Sequence, residues 1–344
     1  MDNTRPETGH LLMRVPRGAA FVICPMLRFK HPLLCNYYLT YRCNAACSFC
    51  DIWEKPSPYV TPAHMAANLR DLKRLGVRVI DFTGGEPLLH RELPQFLDMA
   101  RQMGFVTTVT TNCLLYPKQA EALRGKIDML HFSLDAADAL THDTGRGVAC
   151  FDFVMRSLDL ATALGERPDV LFTVTDANLH HLPAIYDTIT RPRDLLLILN
   201  PIFEYNGVGS QLQQQHFATL RQWGRKPGVY LNDAFLTLRE QGGNHTDHPV
   251  CKAASSTVVI SPENALVLPC YHLGEQHFPI DNQLYDLWHS QPVRQARGLE
   301  GRLPGCEGCT INCYMQPSFA FEFNSWFRKA LPSTLKYTLE KWVY

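Results

Sequence analysis

The chain has 344 residues, 46% of them hydrophobic, with 33 basic and 33 acidic side chains. That is room for a large catalytic domain plus one smaller module, each with a core. A net charge of zero excludes the global basic field that draws in nucleic acid, so no nucleic-acid partner is expected. No run reaches the ~18 apolar residues needed to span a bilayer. The opening residues 1–18 lack the apolar centre of an export signal, so a cytoplasmic location is expected.

Residues 1–34 show no strong periodicity and read as a short leader, too short for a separate recognition domain. From Cys35 onward, short apolar runs alternate with helical stretches. Strands are expected at 35–40, 78–83, 105–111, 128–134, 170–175 and 195–201. Amphipathic helices lie between them, for example over 62–75 (Met65, Leu69, Leu72, Leu75) and 91–103 (Leu93, Phe96, Leu97, Ala100). Strand–helix alternation at this spacing predicts an α/β core with parallel strands and right-handed crossovers. Six such units over 35–249 make a partial (β/α)6 TIM-like barrel, with its site at the strands' carboxyl ends. Residues 206–249 read as a helical link and a loop. A small cysteine-rich α+β module is expected over 250–318, with a hairpin formed by 257–260 and 265–268. Residues 319–344 form an aromatic helical tail.

Twelve cysteines are present, and six fall in two tight runs, Cys43 to Cys50 and Cys306 to Cys313. Without an export signal the thiols stay reduced, and tight grouping suits metal ligation better than loop stapling. The first group reads Cys43-Asn-Ala-Ala-Cys47-Ser-Phe-Cys50, just after the first strand. Three thiolates can hold one face of a [4Fe–4S] cube and leave one iron open to chelate a small molecule. A zinc knuckle is the alternative, although no fourth ligand sits beside these three.

Cys-x-x-x-Cys-x-aromatic-Cys, followed one helix later by Gly84-Gly85-Glu86-Pro87, resembles the signature of the radical S-adenosylmethionine (SAM) superfamily. The resemblance implies that Cys43, Cys47 and Cys50 hold the cluster and that Phe49 packs near the adenine. It implies that the Gly84–Pro87 turn, with Glu86, receives the methionine amino group. It places Asn112, Ser133, Asp135 and Val174, at the ends of later strands, along the SAM pocket. Ser133 and Asp135 would face the carboxylate or ribose of SAM, and Arg146 could pair with the carboxylate. One departure is Cys113, where the family usually has Gly after Asn. Cys113, Cys24, Cys35 and Cys150 read as small buried residues.

The second group, Cys251, Cys270, Cys306, Cys309 and Cys313, resembles the SPASM or twitch extension of radical SAM enzymes. Five cysteines fall short of the eight that two fully ligated cubes need, so one auxiliary [4Fe–4S] cluster is implied, with one cysteine among 306, 309 and 313 spare. A zinc site of four thiolates is the alternative. The implied chemistry is reductive cleavage of SAM to a 5′-deoxyadenosyl radical, which takes hydrogen from a substrate for a net oxidation or bond formation. An electron donor such as flavodoxin or ferredoxin is expected. A small or apolar substrate is favoured. A maturase of a ribosomally made peptide and a non-catalytic iron–sulfur electron carrier stay open. The tail (Phe319, Phe321, Phe323, Trp326, Phe327, Tyr337, Trp342, Tyr344) could meet a membrane or dock on the barrel.

Overall fold

The computed structural model describes residues 31–204, 209–210 and 212–342; most of the expected leader, with Cys24, and Tyr344 lie outside them. The elements run β1 (Leu34–Tyr38), α1 (Pro62–Leu75), β2 (Val79–Thr83), α2 (Leu93–Gln102), β3 (Val106–Thr111), α3 (Tyr116–Leu123), β4 (Met129–Ser133), α4 (Ala139–Arg146), α5 (Phe151–Ala163) and β5 (Asp169–Val174). A helical stretch over 179–193 leads to β6 (Leu197–Pro201), α6 (Phe217–Gly224), β7 (Val229–Tyr230) and α7 (Asp233–Glu240). Then come α8 (Ala253–Ser256), β8 (Thr257–Ile260), β9 (Ala265–Leu268), β10 (Gln276–Pro279), α9 (Leu284–His289), α10 (Gln291–Arg297), α11 (Asn312–Phe321) and α12 (Ser325–Trp342).

Local chemistry sets these boundaries. In α1 the Thr61 side chain accepts the His64 N–H, Pro62 occupies the first turn, and Gly76 closes the helix at φ +90°. In α4 the Asp138 carboxylate caps the Thr141 N–H and Gly147 closes it at φ +66°. β3 reads Val-Thr-Thr-Val-Thr-Thr, a β-branched run suited to a pleated surface.

Strands β1 to β7 pair in sequence order, all parallel, in one open sheet. This is the partial barrel expected. The hairpin does not stand apart from it: β8 pairs in parallel with β1, so the cysteine-rich module continues the same ten-stranded sheet.

Alternation along the strands divides the side chains. Cys35, Tyr37, Ile80, Phe82, Val109, Phe132, Val170 and Phe172 join the large core with Leu69, Leu72, Phe96, Leu97 and Leu158 of the covering helices. The opposite face, lining the barrel, carries Asn36, Asp81, Thr108, His131 and Asp169. Below these, Leu34, Val79, Val106 and Met129 form a small apolar layer with Tyr337 and Trp342 of α12. The C-terminal helix therefore plugs the base of the barrel. Phe319 and Phe327 are buried and Trp326 stacks on Phe319. Among the tail aromatics a membrane contact would use, Phe323 alone of the described ones is exposed. No helix among the described residues is long and apolar enough to cross a membrane.

Candidate active site

The loop carrying Cys43, Cys47 and Cys50 leaves the carboxyl end of β1. Two neighbouring turns hold it from opposite sides. On one side, Leu39 N donates to Thr83 O (2.9 Å), Gly85 N to Thr40 O (2.9 Å) and Glu86 N to Arg42 O (2.9 Å). A Cβ at Gly84 would stand 2.1 Å from Thr40 O, and one at Gly85 would stand 2.2 Å from Arg42 O. These two glycines are there for backbone approach. On the other side, Ala46 N donates to Arg146 O and Ser48 N to Gly145 O, both at 3.1 Å. Gly147 fits only without a side chain, since its Cβ would lie 2.4 Å from Ala46 O.

Glu86 is buried and its carboxylate is engaged by the chain itself. Oε1 accepts from Leu88 N (3.0 Å) and Thr111 Oγ1 (2.8 Å), and Oε2 accepts from Asn112 N (2.9 Å). Burial pushes its carboxyl up to about 7, against the pull of these hydrogen bonds. Glu86 thus ties the ends of β2 and β3 together, and Pro87 opens the short turn after it. Asn112 Nδ2 donates to Asn44 Oδ1 at 2.8 Å and lies 4.0 Å from Cys43 Sγ. Cys113 is buried at φ +68°, a left-handed conformation that explains why glycine suits this place.

Arg146 is 7% exposed and reaches the other flank. Its Nη2 lies 2.6 Å from Asp135 Oδ2, its Nη1 lies 3.9 Å from Cys47 Sγ, and its guanidinium stands 5.4 Å over the Phe49 ring. Its Nε is buried with no hydrogen-bond partner. Asp135 Oδ1 accepts the Thr173 N–H (2.9 Å). Ser133 sits on the barrel face at the end of β4. Val174 is not brought to the site: the two-residue alternation of β5 turns its side chain into the core beside Phe172.

In the module, Cys251, Cys270, Cys306 and Cys309 line one cavity of about 330 Å³ with Leu273 and Tyr314. Cys313 does not line it; its Sγ points to His272 Nε2 at 3.7 Å. The two cysteine groups share a wall. Tyr271, next to Cys270, stacks on Tyr38 of β1 at 4.4 Å and accepts the Lys55 ammonium (3.0 Å).

The donor sets fit iron–sulfur cubes better than zinc. Nowhere among the described residues do three of these thiols lie within 4.8 Å of one another. Four thiolates on one zinc, each at about 2.3 Å, would lie about 3.8 Å apart. Burial pushes Cys43 and Cys309 up to about 11 and Cys270 up to about 12, so loading a cluster must release protons. The orphaned Arg146 Nε beside Cys47 and Phe49 fits an anionic group of a small molecule held at the open iron.

Sequence reasoning missed Asn44, Gly145 and Gly147, which hold the loop through contacts between residues far apart in the chain. The adjacent His142–Gly147 segment was the available signal.

The structure thus presents an open α/β barrel with a three-thiol loop clamped at its carboxyl end. The sequence profile described as the Radical SAM superfamily matches residues 37–189. GTP 3′,8-cyclase of Chlorobaculum tepidum is 30% identical over 279 residues, covering 77% of this chain and 81% of that protein. Fe-coproporphyrin III synthase of Methanosarcina barkeri is 29% identical over 61% of this chain, a match that spans 55% of that protein's length. Among solved structures, Streptococcus suis SuiB bound to S-adenosylmethionine superposes with a TM-score of 0.64 at 16% identity, covering 94% of this chain and 84% of that one. SuiB bound to its precursor peptide SuiA gives 0.62 at 16% identity, over 86% of this chain and 73% of that one. The chain belongs to the radical SAM superfamily. Enzymes of this superfamily use a [4Fe–4S] cluster and SAM.

Proposed function

We propose that this chain cleaves SAM reductively and oxidises or rearranges a small or apolar molecule, with one auxiliary [4Fe–4S] cluster in its C-terminal module. The observation that carries the reading is the loop 43–50, clamped by main-chain bonds on both sides and flanked by Asn112 near Cys43 and Arg146 near Cys47. When bound, a reduced cluster with one open iron supplies the electron that splits SAM into methionine and a hydrogen-abstracting 5′-deoxyadenosyl radical.

The chain's own residues do the rest. Cys43, Cys47 and Cys50 hold three irons. The Gly84–Pro87 turn offers main-chain carbonyls to the SAM amino group, and Glu86 braces that turn from behind. Arg146 pairs with the SAM carboxylate, Phe49 covers the adenine, and Ser133 and Asp135 face the ribose. Cys251, Cys270, Cys306 and Cys309 hold the auxiliary cluster, which leaves Cys313 as the spare cysteine. A flavodoxin or ferredoxin brings the electron.

The names of the two relatives give a porphyrin and a nucleotide, which supports a small-molecule substrate. Maturation of a ribosomally made peptide is the second reading, since SuiB, alike in shape, is seen with a precursor peptide. Anaerobically reconstituted protein under strong reductant should convert SAM to 5′-deoxyadenosine. Cys43→Ala, Cys47→Ala and Cys50→Ala should each abolish this. A variant that keeps wild-type turnover would remove that cysteine from the ligand set.

A further inference from the structure

His142 is wholly buried on α4, one turn before Arg146 and on the same face. Its Nδ1 accepts the Asp135 main-chain N–H at 3.1 Å, and its Nε2 faces Cys150 Sγ at 3.3 Å. The acceptor role of Nδ1 leaves the ring proton on Nε2, directed at the sulfur. Arg146 meets the same Asp135 through its carboxylate, at 2.6 Å. Two residues one turn apart therefore fasten α4 to one aspartate, one by main chain and one by side chain. The end of that helix then gives the carbonyls of Gly145 and Arg146 to the cysteine loop.

His142, Asp143 and Cys150 also group closely enough to suggest a metal site. The grouping does not serve as one. Asp143 Oδ1 is taken by the N–H groups of Cys150 and Phe151 (2.9 and 2.8 Å), His142 Nδ1 is taken by Asp135, and the Arg146 cation stands beside the ring. Burial and that cation hold the imidazole down to about 4, so it stays neutral at ordinary pH.

We propose that His142 is a positioning residue for the SAM site: by gripping the Asp135 main chain it fixes the rotation of α4, and so the direction in which Arg146 faces the Cys47–Phe49 flank. The inference rests on the reading of Arg146 as the partner of the SAM carboxylate. Asp135 is held independently by Thr173 N and by Asn178 Nδ2 on its carbonyl (3.0 Å), so the aspartate stays while the helix loses a fastening.

The test uses the full chain with reconstituted clusters. It measures SAM affinity by anaerobic equilibrium dialysis, the change in the reduced cluster's electron paramagnetic resonance spectrum on adding SAM, and iron content. His142→Leu should keep its iron but bind SAM about tenfold more weakly, with a muted spectral change. His142→Asn, whose amide oxygen stands near the place of Nδ1, should recover most of the affinity. His142→Gln, which reaches toward Cys150 instead, should not. Wild-type SAM affinity in His142→Leu, with Arg146→Ala weakened, would overturn the inference alone. Wild-type affinity in Arg146→Ala would overturn the SAM-site reading beneath it. If His142→Leu fails to fold, the Asn and Gln variants decide, and equal affinity in those two overturns the proposal.

Discussion

At the residue scale, three glycines hold the site for a steric reason and a fourth does not. Gly84, Gly85 and Gly147 each face a carbonyl oxygen at 2.1 to 2.4 Å from where a Cβ would sit. Those oxygens belong to main chain, so relief requires the cysteine loop itself to move. Gly145 lies in α4 with nothing within 4 Å of its Cβ position. Gly147→Ala should therefore cost about 3 kcal/mol and reduce iron retention at the first cluster. Gly145→Ala should be neutral or stabilise by about 0.5–1 kcal/mol, because alanine loses less entropy in a helix. Thermal unfolding with an iron assay checks both; equal behaviour of the pair would contradict the clamp. The sequence showed the Gly84-Gly85-Glu86-Pro87 turn and the cysteines through their fixed spacing. It did not show that Glu86 faces inward to Thr111 and Asn112, because that contact joins residues 25 and 26 positions apart. Nor did it show that the side chain of Val174 points into the core, since strand-end residues of both faces look alike without the register.

At the element scale, the six barrel strands were legible to within about two residues because each is a short apolar run between helical patterns. β7 and β10 were not. β7 has two residues, and β10 (Gln-His-Phe-Pro) is a largely exposed edge strand with no apolar signal. The C-terminal helix was legible as a helix that could dock on the barrel, but its docking point was not, because its anchor is a distant partner. Lys341 Nζ lies 2.7 Å from Asp169 Oδ1, and Tyr337 OH donates to Asp169 Oδ2 at 2.7 Å, both at the base of β5. Burial pushes the Asp169 carboxyl up, but Lys341 and His131 outweigh it and hold the group below its ordinary value. A depressed folded value means this stabilisation is present above the unfolded carboxylate range, about pH 4, and is lost as pH falls through the folded value. Lys341→Met should lower stability by about 3 kcal/mol at neutral pH, since it strands a buried carboxylate. The difference from wild type should close on acidification below about pH 4. Denaturant titrations across pH would show a pH-independent gap if Lys341 contributes through packing alone.

At the scale of the whole molecule, the two cysteine groups are not carried on independent bodies. β8 extends the barrel sheet beside β1, and Tyr38, Tyr41, Ile52, Cys251, Cys270 and Tyr314 share one apolar cluster, with Cys50 packed against it. That continuity fixes the distance between the SAM-side loop and the cavity of Cys251, Cys270, Cys306 and Cys309. It also makes the metal content of each group separately testable, because each keeps its own ligands. Wild-type protein should hold about eight irons per chain. Replacing Cys43, Cys47 and Cys50 together should leave about four, all in the second module. Cys270→Ser or Cys309→Ser, each removing a thiol from the cavity wall, should lower the count toward four while leaving the first cluster's SAM-dependent spectrum in place. Cys313→Ser should keep about eight, because Cys313 does not line the cavity and its sulfur meets the lining residue His272 instead, at 3.7 Å. The ligand set at the second cavity would be redrawn by iron loss in Cys313→Ser with full iron in Cys309→Ser. Zinc in place of iron in the triple variant would remove the auxiliary cluster, and with it the electron sink that favours an oxidative reaction.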